Sequence, residues 1–185
     1  FRKLNIHTPI ILMGYYNPIY KFGKEKFIQL CLKSGVDGLI IVDLPPEEDE
    51  EFYVEAEKNK LSIIRLVTPT TDEKRLNKIL FNATGFVYYV SITGITGTQA
   101  PNIENVSINL AKIKSVTDLP VVIGFGIRSP SQALSMANIS DGIVVGSAVV
   151  DLIKSSLDKD DNPTKNTLNS CLDFIGKVSK SIKHN

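Results

Sequence analysis

The sequence contains few of the residues that mark metal, redox or histidine-based chemistry. Its two cysteines, Cys31 and Cys171, lie too far apart in the chain to form a metal or redox motif, so we expect reduced thiols in a cytoplasmic protein. The two histidines are His7, before a strand, and His184, in the C-terminal tail. Because neither is placed to act as a pocket base and no cluster has metal-ligand spacing, no metal site is predicted.

The sequence also lacks an excess of charge of either sign. Lysine and arginine total 21 and aspartate and glutamate total 20, so the net charge of +1 argues against binding to nucleic acid or to an anionic membrane. We find no apolar run of membrane-spanning length, no signal peptide, no GxGxxG after the first strand and no GxxxxGK[ST]. These absences argue against a membrane or secreted protein and weaken a nucleotide-binding interpretation.

What the chain does contain is an alternation of apolar, β-rich runs with amphipathic helical segments. Six βα units are predicted, with strands near residues 9–13, 38–42, 62–67, 86–90, 121–123 and 142–145. Helices are predicted near 24–33 (stopping at Gly35), 47–58 and 164–183, and also after the other strands. Thr70 and Glu73 have the spacing of a capping box, and Ser129 followed by Pro130 predicts a capped helix with proline in its first position.

The pattern within the strands predicts the fold class. The runs are continuously apolar rather than alternating, which is typical of parallel strands buried on both faces. A doubly wound sheet and a (β/α)8 barrel both fit, and the barrel is favoured because the glycine signals cluster at the last strands. We therefore predict an α/β fold of the TIM-barrel type, truncated to about six βα units, as a single partial domain over residues 1–185. About two further units are expected upstream of Phe1, and without them the strands near 9–13 and 142–145 would have unpaired edges.

Two glycine-punctuated strand ends carry the clearest functional signal. They are PVVIGFGIRSP (Pro120 to Pro130) and GIVVGSAVVDLI (Gly142 to Ile153), in which an apolar run stops at glycine and restarts as a helix. Such junctions present backbone N–H groups at the positive end of a helix dipole, where a phosphate dianion binds. The sequence therefore predicts a phosphorylated small-molecule ligand.

Five segments together closely resemble the α chain of tryptophan synthase: ILMGYYNPIY, GVDGLIIVDLPPEE, VYYVSITGITGT, VVIGFGIRSP and GIVVGSAVV. The resemblance extends over essentially the whole chain, from the family's third strand to its C-terminus. It implies cleavage of indole-3-glycerol phosphate to indole and glyceraldehyde 3-phosphate within tryptophan biosynthesis. It also implies an α2β2 assembly in which indole passes to a β chain that holds pyridoxal phosphate, with no cofactor in the α chain.

The resemblance assigns no catalytic residue to this chain. The family's acid and base are a Glu at the end of the second strand and an Asp in the following loop, and both are expected upstream of Phe1. The cleavage requires a proton delivered to the indole ring carbon and protons removed from the ring nitrogen and the side-chain hydroxyl, which is work for positioned carboxyl groups. The fragment alone is therefore expected to be inactive.

The resemblance does assign binding residues. The phosphate would bind to Gly97, Gly126, Gly146 and Ser147, and the alternative is that these glycines only permit turns with positive φ. The substrate pocket would be lined by Met13, Tyr15, Ile40, Asp43, Tyr88, Thr96 and Phe125. For the apolar members the alternative is ordinary barrel packing. Asp43 ends its strand as a catalytic base would, and a cap for the following helix is a third interpretation.

Two prolyl segments would flank the mouth of this pocket. By resemblance, Asn17, Pro18, Pro45 and Pro46 would help to contact the β chain, whereas from the residues alone both segments could be rigid turns. Two other functions stay open at this point. One is a different sugar-phosphate barrel, such as an isomerase or epimerase, and the other is a non-catalytic allosteric partner of a β chain.

Overall fold

The computed structural model of the chain describes residues 1–48, 50–91, 103–124 and 126–182. Its strands are β1 (Ile11–Gly14), β2 (Gly38–Ile41), β3 (Ser62–Ile63), β4 (Arg65–Val67), β5 (Val87–Val90), β6 (Val121–Gly124) and β7 (Gly142–Val144). Its helices are α1 (Tyr16–Phe22), α2 (Lys24–Ser34), α3 (Glu50–Lys58), α4 (Glu73–Leu80), α5 (Ile103–Lys114), α6 (Pro130–Ala137), α7 (Ser147–Ser156) and α8 (Lys165–Ile182). One 3-10 turn, Pro46–Glu48, follows β2.

The described residues form two compact units, each of which is considered by itself. Unit 1 contains Phe1–Val67, Thr71–Tyr88 and Val116–Leu119, and unit 2 contains Thr68–Thr70, Tyr89–Ser115 and Pro120–Asn185. In unit 1, β2 pairs in parallel with β1 and β3, and in unit 2, β6 pairs in parallel with β7. Parallel strands separated by helices confirm the predicted α/β class. The prediction of one domain over residues 1–185 stays a prediction.

The core of unit 1 lies between its sheet and the helices that follow the strands. Leu39 and Ile41, two residues apart on β2, lie in one buried cluster with Ile28 of α2 and Phe52 of α3. Residues two apart on a strand point to the same face, which is why these two reach the helices together. The α2 helix ends at Gly35, whose φ of +75° is the left-handed conformation that glycine adopts most easily, so the predicted stop is confirmed.

Strand β1 is much more exposed than its neighbour β2. All four residues of β2 are buried, whereas Leu12 and Met13 of β1 are 41% and 51% exposed. Because β1 is the outer strand in the order β1-β2-β3, it has the open edge that the sequence predicted.

The core of unit 2 combines strand residues with the inner faces of α5 and α6. Val121, Ile123, Ala133 and Met136 are all buried, and α8 packs against both α6 and α7. The start of α6 is as predicted, since Ser129 Oγ accepts a 3.2 Å hydrogen bond from the Gln132 N–H and Pro130 occupies the first helical position. Within the described ranges, no helix has both the length and the apolar character needed to cross a membrane.

One local prediction is wrong, and one alternative that the sequence left open is excluded. The proposed capping box is not formed, because the cap of α4 is Asp72, whose carboxylate accepts a 2.7 Å hydrogen bond from the Arg75 N–H. The segment around Asn17 and Pro18 is not a turn but the first turn of helix α1. Proline is tolerated there because the N–H groups of a first helical turn have no intrahelical partner to lose.

Candidate functional site

An apolar cavity in unit 1 brings together three of the predicted pocket residues. Met13, Tyr15 and Ile40 line a space of about 480 Å³ at the end of β1 and β2. Met13 and Ile40 are register partners in the parallel pair, so their side chains leave the same face of the sheet. The other lining residues are also uncharged: Leu12, Gly14, Pro18, Ile19, Phe27, Leu39 and Ile41. A cavity of this composition suits a flat apolar group.

Asp43 has a structural partner that the sequence did not suggest. Its carboxylate accepts a 2.7 Å hydrogen bond from the backbone N–H of Tyr16, at the start of α1. An acidic group in this position both satisfies a donor without an intrahelical partner and favours the helix dipole. Asp43 therefore caps the helix after β1, not the helix that follows it in sequence, and it connects the ends of two neighbouring strands.

A second cavity in unit 1, of about 280 Å³, lies beside Asp43 and contains two arginines that the sequence analysis did not single out. Arg65 is only 6% exposed, and its guanidinium lies 5.9 Å from the ring centroid of Tyr53. Arg75 is paired with Glu47. A hydrogen bond from its own backbone N–H, followed by that from Arg75, lowers the pKa of Glu47 below its ordinary value. In the sequence, Arg65 could have been noticed as the charged residue within the apolar run SIIRLV.

The predicted partner-contact residues divide between these two cavities. Asn17 and Pro18 are exposed in α1, and Pro18 lines the larger cavity. Pro45 and Pro46 are half-buried and line the smaller one, where Pro46 begins the 3-10 turn. All four residues therefore lie at the ends of β1 and β2, on the side where Asp43 joins the two loops.

Tyr88 and Tyr89 are both buried, and they point in opposite directions. Tyr89 is 1% exposed and hydrogen-bonds to Asn109 of α5, so its side chain lies toward the helices. Because successive strand residues face opposite sides of a sheet, the Tyr88 side chain points to the opposite face of β5 from that of Tyr89. Burial raises the pKa of both hydroxyl groups above the ordinary tyrosine value, which keeps both protonated and neutral.

The two described glycines predicted to bind phosphate, both in unit 2, differ in whether their backbone conformation requires glycine. Gly126 has a φ of +82°, so its turn alone favours glycine, and it lines a cavity of about 170 Å³ beside α6. Gly146 has a φ of −116°, is exposed, and would leave an added Cβ with no atom within 4 Å. Neither backbone conformation nor packing therefore requires glycine at position 146. Among the described residues, no side chain caps α7, which begins at the exposed Ser147.

Three predicted site residues, Thr96, Gly97 and Phe125, lie outside the described residues. Within the described part of the chain, no group of three or more His, Cys, Asp or Glu side chains is arranged to hold a metal ion.

Comparison with known proteins gives a consistent set of relatives. Residues 1–179 match the family described as "Tryptophan synthase alpha chain". The chain is similar to the tryptophan synthase subunit alpha of Legionella pneumophila str. Paris, with 33% identity, a TM-score of 0.86 and coverage of 100% of this chain and 66% of that one. For the alpha chain of Legionella pneumophila subsp. pneumophila the identity is 35% and the TM-score 0.85, with 98% and 65% covered.

A more distant relative comes from a hyperthermophile. The chain is 30% identical to a Pyrococcus furiosus protein whose structure is described as that of the tryptophan synthase α2β2 complex, with a TM-score of 0.81 and coverage of 97% and 69%. For the two Legionella proteins described above, the chain spans just under two thirds of their length. These matches confirm the predicted fold, a (β/α)8-barrel type of which about six βα units are present.

Proposed function

Since this chain belongs to the tryptophan synthase alpha chain family, we propose that it serves the aldol cleavage of indole-3-glycerol phosphate in tryptophan biosynthesis. The products would be indole and glyceraldehyde 3-phosphate. The indole would pass to a β chain, which would hold the pyridoxal phosphate, and this chain would need no cofactor of its own. We also propose a cytoplasmic location, as expected for a biosynthetic enzyme with two free cysteines.

The apolar cavity of unit 1 supports the indole part of this proposal. Met13, Tyr15 and Ile40 present thioether, aromatic and aliphatic surface to one space of about 480 Å³. An indole ring buried there gains stability from removing its apolar surface from water, at about 25 cal/mol per Å². Tyr88, which is buried, is proposed as a further substrate-pocket residue, and so are Thr96 and Phe125.

The open start of α7 is the single observation that most strongly supports phosphate binding. Gly146 and Ser147 are exposed, and apart from the adjoining residues no atom of the described part of the chain lies within 4 Å of a Cβ added to Gly146. A dianion at this helix terminus would accept hydrogen bonds from backbone N–H groups and interact favourably with the helix dipole. We propose that Gly97 and Gly126 contribute further contacts to the same phosphate.

The proposal assigns no acid or base to these residues. Cleavage breaks the bond between the indole ring carbon and the glycerol phosphate side chain. The ring carbon gains a proton and the side-chain hydroxyl loses one as the aldehyde forms, while the ring nitrogen gives up its proton before the bond breaks and regains one as indole leaves. Asp43 is hydrogen-bonded to the Tyr16 N–H and Glu47 is paired with Arg75, so both carboxylates have structural roles. Asp43 is proposed to line and support the pocket rather than to transfer a proton.

The ends of β1 and β2 are the proposed contact surface for the β chain. Asn17 and Pro18 are exposed, and Pro45 and Pro46 are half-buried in the neighbouring loop. The hydrogen bond from Tyr16 to Asp43 joins these two loops, which would present them to the partner as one surface. The family match does not favour a sugar-phosphate isomerase or a purely allosteric subunit.

Indole release tests the proposed reaction. The native gene product is incubated with indole-3-glycerol phosphate, alone and with a tryptophan synthase β chain, and indole and glyceraldehyde 3-phosphate are quantified. We expect equal amounts of the two products in the presence of the β chain. Stimulation of the β chain without any indole release would instead favour the allosteric function. If the protein neither released indole nor stimulated the β chain, the whole proposal would be contradicted.

A further inference from the structure

One ion pair joins the loop after β6 to helix α7. The guanidinium of Arg128 is hydrogen-bonded to the carboxylate of Asp151. Arg128 follows Gly126 by two residues, and Asp151 lies about one helical turn after Ser147. The pair therefore connects two segments that each carry proposed phosphate-binding residues.

The backbone that carries Arg128 is held on both sides. Ile127, immediately before it, is only 3% exposed and anchors the loop in the core of unit 2. The N–H of Arg128 donates a 2.8 Å hydrogen bond to Oε1 of Gln132, and Ser129 caps α6 directly after it. The Arg128 side chain therefore extends from a fixed point, and through Asp151 it holds the first half of α7.

The start of α7 has particular need of such a restraint. The first N–H groups of a helix have no intrahelical partner, and a helix end frays unless a cap or a tertiary contact holds it. In the described part of the chain, α6 has the side-chain cap of Ser129, whereas the N-cap position of α7 is Gly146 and no side chain caps that helix. A contact one turn into α7 limits how far its first turn moves from the loop at Gly126.

We infer that Arg128 and Asp151 are positioning residues, which hold the first turn of α7 beside the loop after β6 and so set the affinity for the phosphate dianion. This inference rests on the proposed function only for the identity of the ligand. Both side chains are about half exposed, at 43% and 55%, so solvent screens the pair and its contribution to global stability is small. Its effect is local to the phosphate-binding backbone.

Hydrogen exchange and phosphate binding together test the inference. The variants Arg128→Ala and Asp151→Ala are compared with the unmodified chain for amide exchange at Val149 and Val150, whose N–H groups donate to the Gly146 carbonyl in the first turn of α7. Binding of inorganic phosphate is measured by calorimetry. We expect both variants to accelerate exchange there and to weaken phosphate binding, each by about two- to fivefold. The exchanged pair Arg128→Asp with Asp151→Arg restores part of both losses.

A second ion pair in the same unit supplies the control. Lys177 and Asp173 are paired within α8, and Lys177→Ala removes a similar exposed charge without touching α7. We expect this variant to leave both the exchange at Val149 and Val150 and the phosphate affinity unchanged. An equal response in all three alanine variants would overturn the inference, because it would show a general effect of charge.

The sign of the Asp151→Ala effect separates positioning from direct binding. If Arg128 itself binds the phosphate, removing Asp151 releases the guanidinium and strengthens binding, while Arg128→Ala weakens it, and that result overturns the inference. Unchanged exchange at the start of α7 in both variants also overturns it, whether or not phosphate binds. Faster exchange in a chain that binds no phosphate would overturn the link to affinity and would contradict the proposed phosphate site itself.

Discussion

Gly38 begins the parallel strand β2 and Gly146 follows the parallel strand β7, but packing requires glycine at only one of them. A Cβ atom added to Gly38 would lie 2.9 Å from the backbone oxygen of Ser62 and 2.8 Å from Cδ1 of Ile64. A Cβ added to Gly146 would have no atom within 4 Å, and its φ of −116° is not in the left-handed region. Packing explains the first glycine completely. For the second, the proposed close approach of a phosphate to the backbone would supply the reason.

The largest expected effect is on stability, at Gly38. We predict that Gly38→Ala lowers the free energy of unfolding by about 1–3 kcal/mol, because the new methyl group forces the β2–β3 pairing apart. Urea unfolding followed by circular dichroism measures the change. The matched control is Gly176→Ala in α8, where an added Cβ meets no atom within 4 Å. There we expect the opposite sign, a gain of up to about 1 kcal/mol from helix propensity.

The next effect is on ligand binding, at Gly146. We predict that Gly146→Ala weakens the binding of glycerol 3-phosphate by about tenfold. The added methyl group would occupy the space through which the phosphate reaches the backbone N–H groups, and a charge-assisted hydrogen bond would be lost. The change in unfolding free energy is expected to be much smaller than at Gly38. Calorimetric titration gives the affinity.

The control for this variant is another glycine with open space. Gly14→Ala at the end of β1 also adds a Cβ with no atom within 4 Å, but no phosphate contact is proposed there. Its phosphate affinity should equal that of the unmodified chain. If the two variants lost equal affinity for glycerol 3-phosphate, or if neither lost any, Gly146 would have no special part in phosphate binding.

A comparison of α6 with α7 sharpens this difference. We predict that Ser129→Ala destabilises the chain by about 1 kcal/mol, because the Gln132 N–H loses its side-chain acceptor. Ser107→Ala, at an exposed position inside α5, should have no destabilising effect. If Ser129→Ala instead left stability unchanged, the cap of α6 would contribute nothing to stability. The missing cap at the start of α7 would then be no argument for a ligand there.

The smallest expected effect concerns the opposite end of β7. The Asp141 carboxylate accepts a 2.8 Å hydrogen bond from the Val121 N–H and a 2.9 Å hydrogen bond from the Lys114 amine, and these, in that order, lower its pKa. A lowered pKa stabilises the fold above the unfolded value of about 3.9, and this stabilisation disappears as the pH falls through the folded value. The side chain is 40% exposed, so the contribution is discounted to about 1 kcal/mol or less.

Asp141→Asn should therefore lower the stability at pH 7 and leave it nearly unchanged at pH 2. Urea midpoints at the two pH values measure this dependence. A deficit of equal size at both values would show that the variant acts through packing at the start of β7 and not through the carboxylate charge.

The sequence predicted those features of the fold that depend on neighbouring residues. Gly35 ends α2 and Ser129 with Pro130 begins α6 as expected, because each signal acts within one helical turn. The capping box at Thr70 was wrong because Asp72 also stands three residues before a helical N–H and competes for the same function. The correct and the wrong predictions both concern hydrogen bonds between neighbouring residues. Only the choice between Thr70 and Asp72 as the cap of α4 required the structure.

The features that the sequence missed depend on contacts between distant parts of the chain. Helix α1 was not predicted, because Asn17–Pro18 also fits a rigid turn, whereas the first N–H of the helix is held by Asp43, which follows the next strand. The pairing of Arg128 with Asp151 likewise joins two elements with no shared motif. For the candidate site, the motifs indicated which residues to consider, but only the structure separated Gly126, explained by its turn, from Gly146.

The most direct test of phosphate binding at α7 is a titration of the ¹⁵N-labelled chain with inorganic phosphate, followed by the amide resonances at two helix starts. We expect the resonances of Ser147 and Ala148, at the uncapped start of α7, to shift progressively and to saturate. Those of Ser131 and Gln132, at the capped start of α6, should stay in place. Equal shifts at both helices, or none at Ser147 and Ala148, would contradict a phosphate site at Gly146.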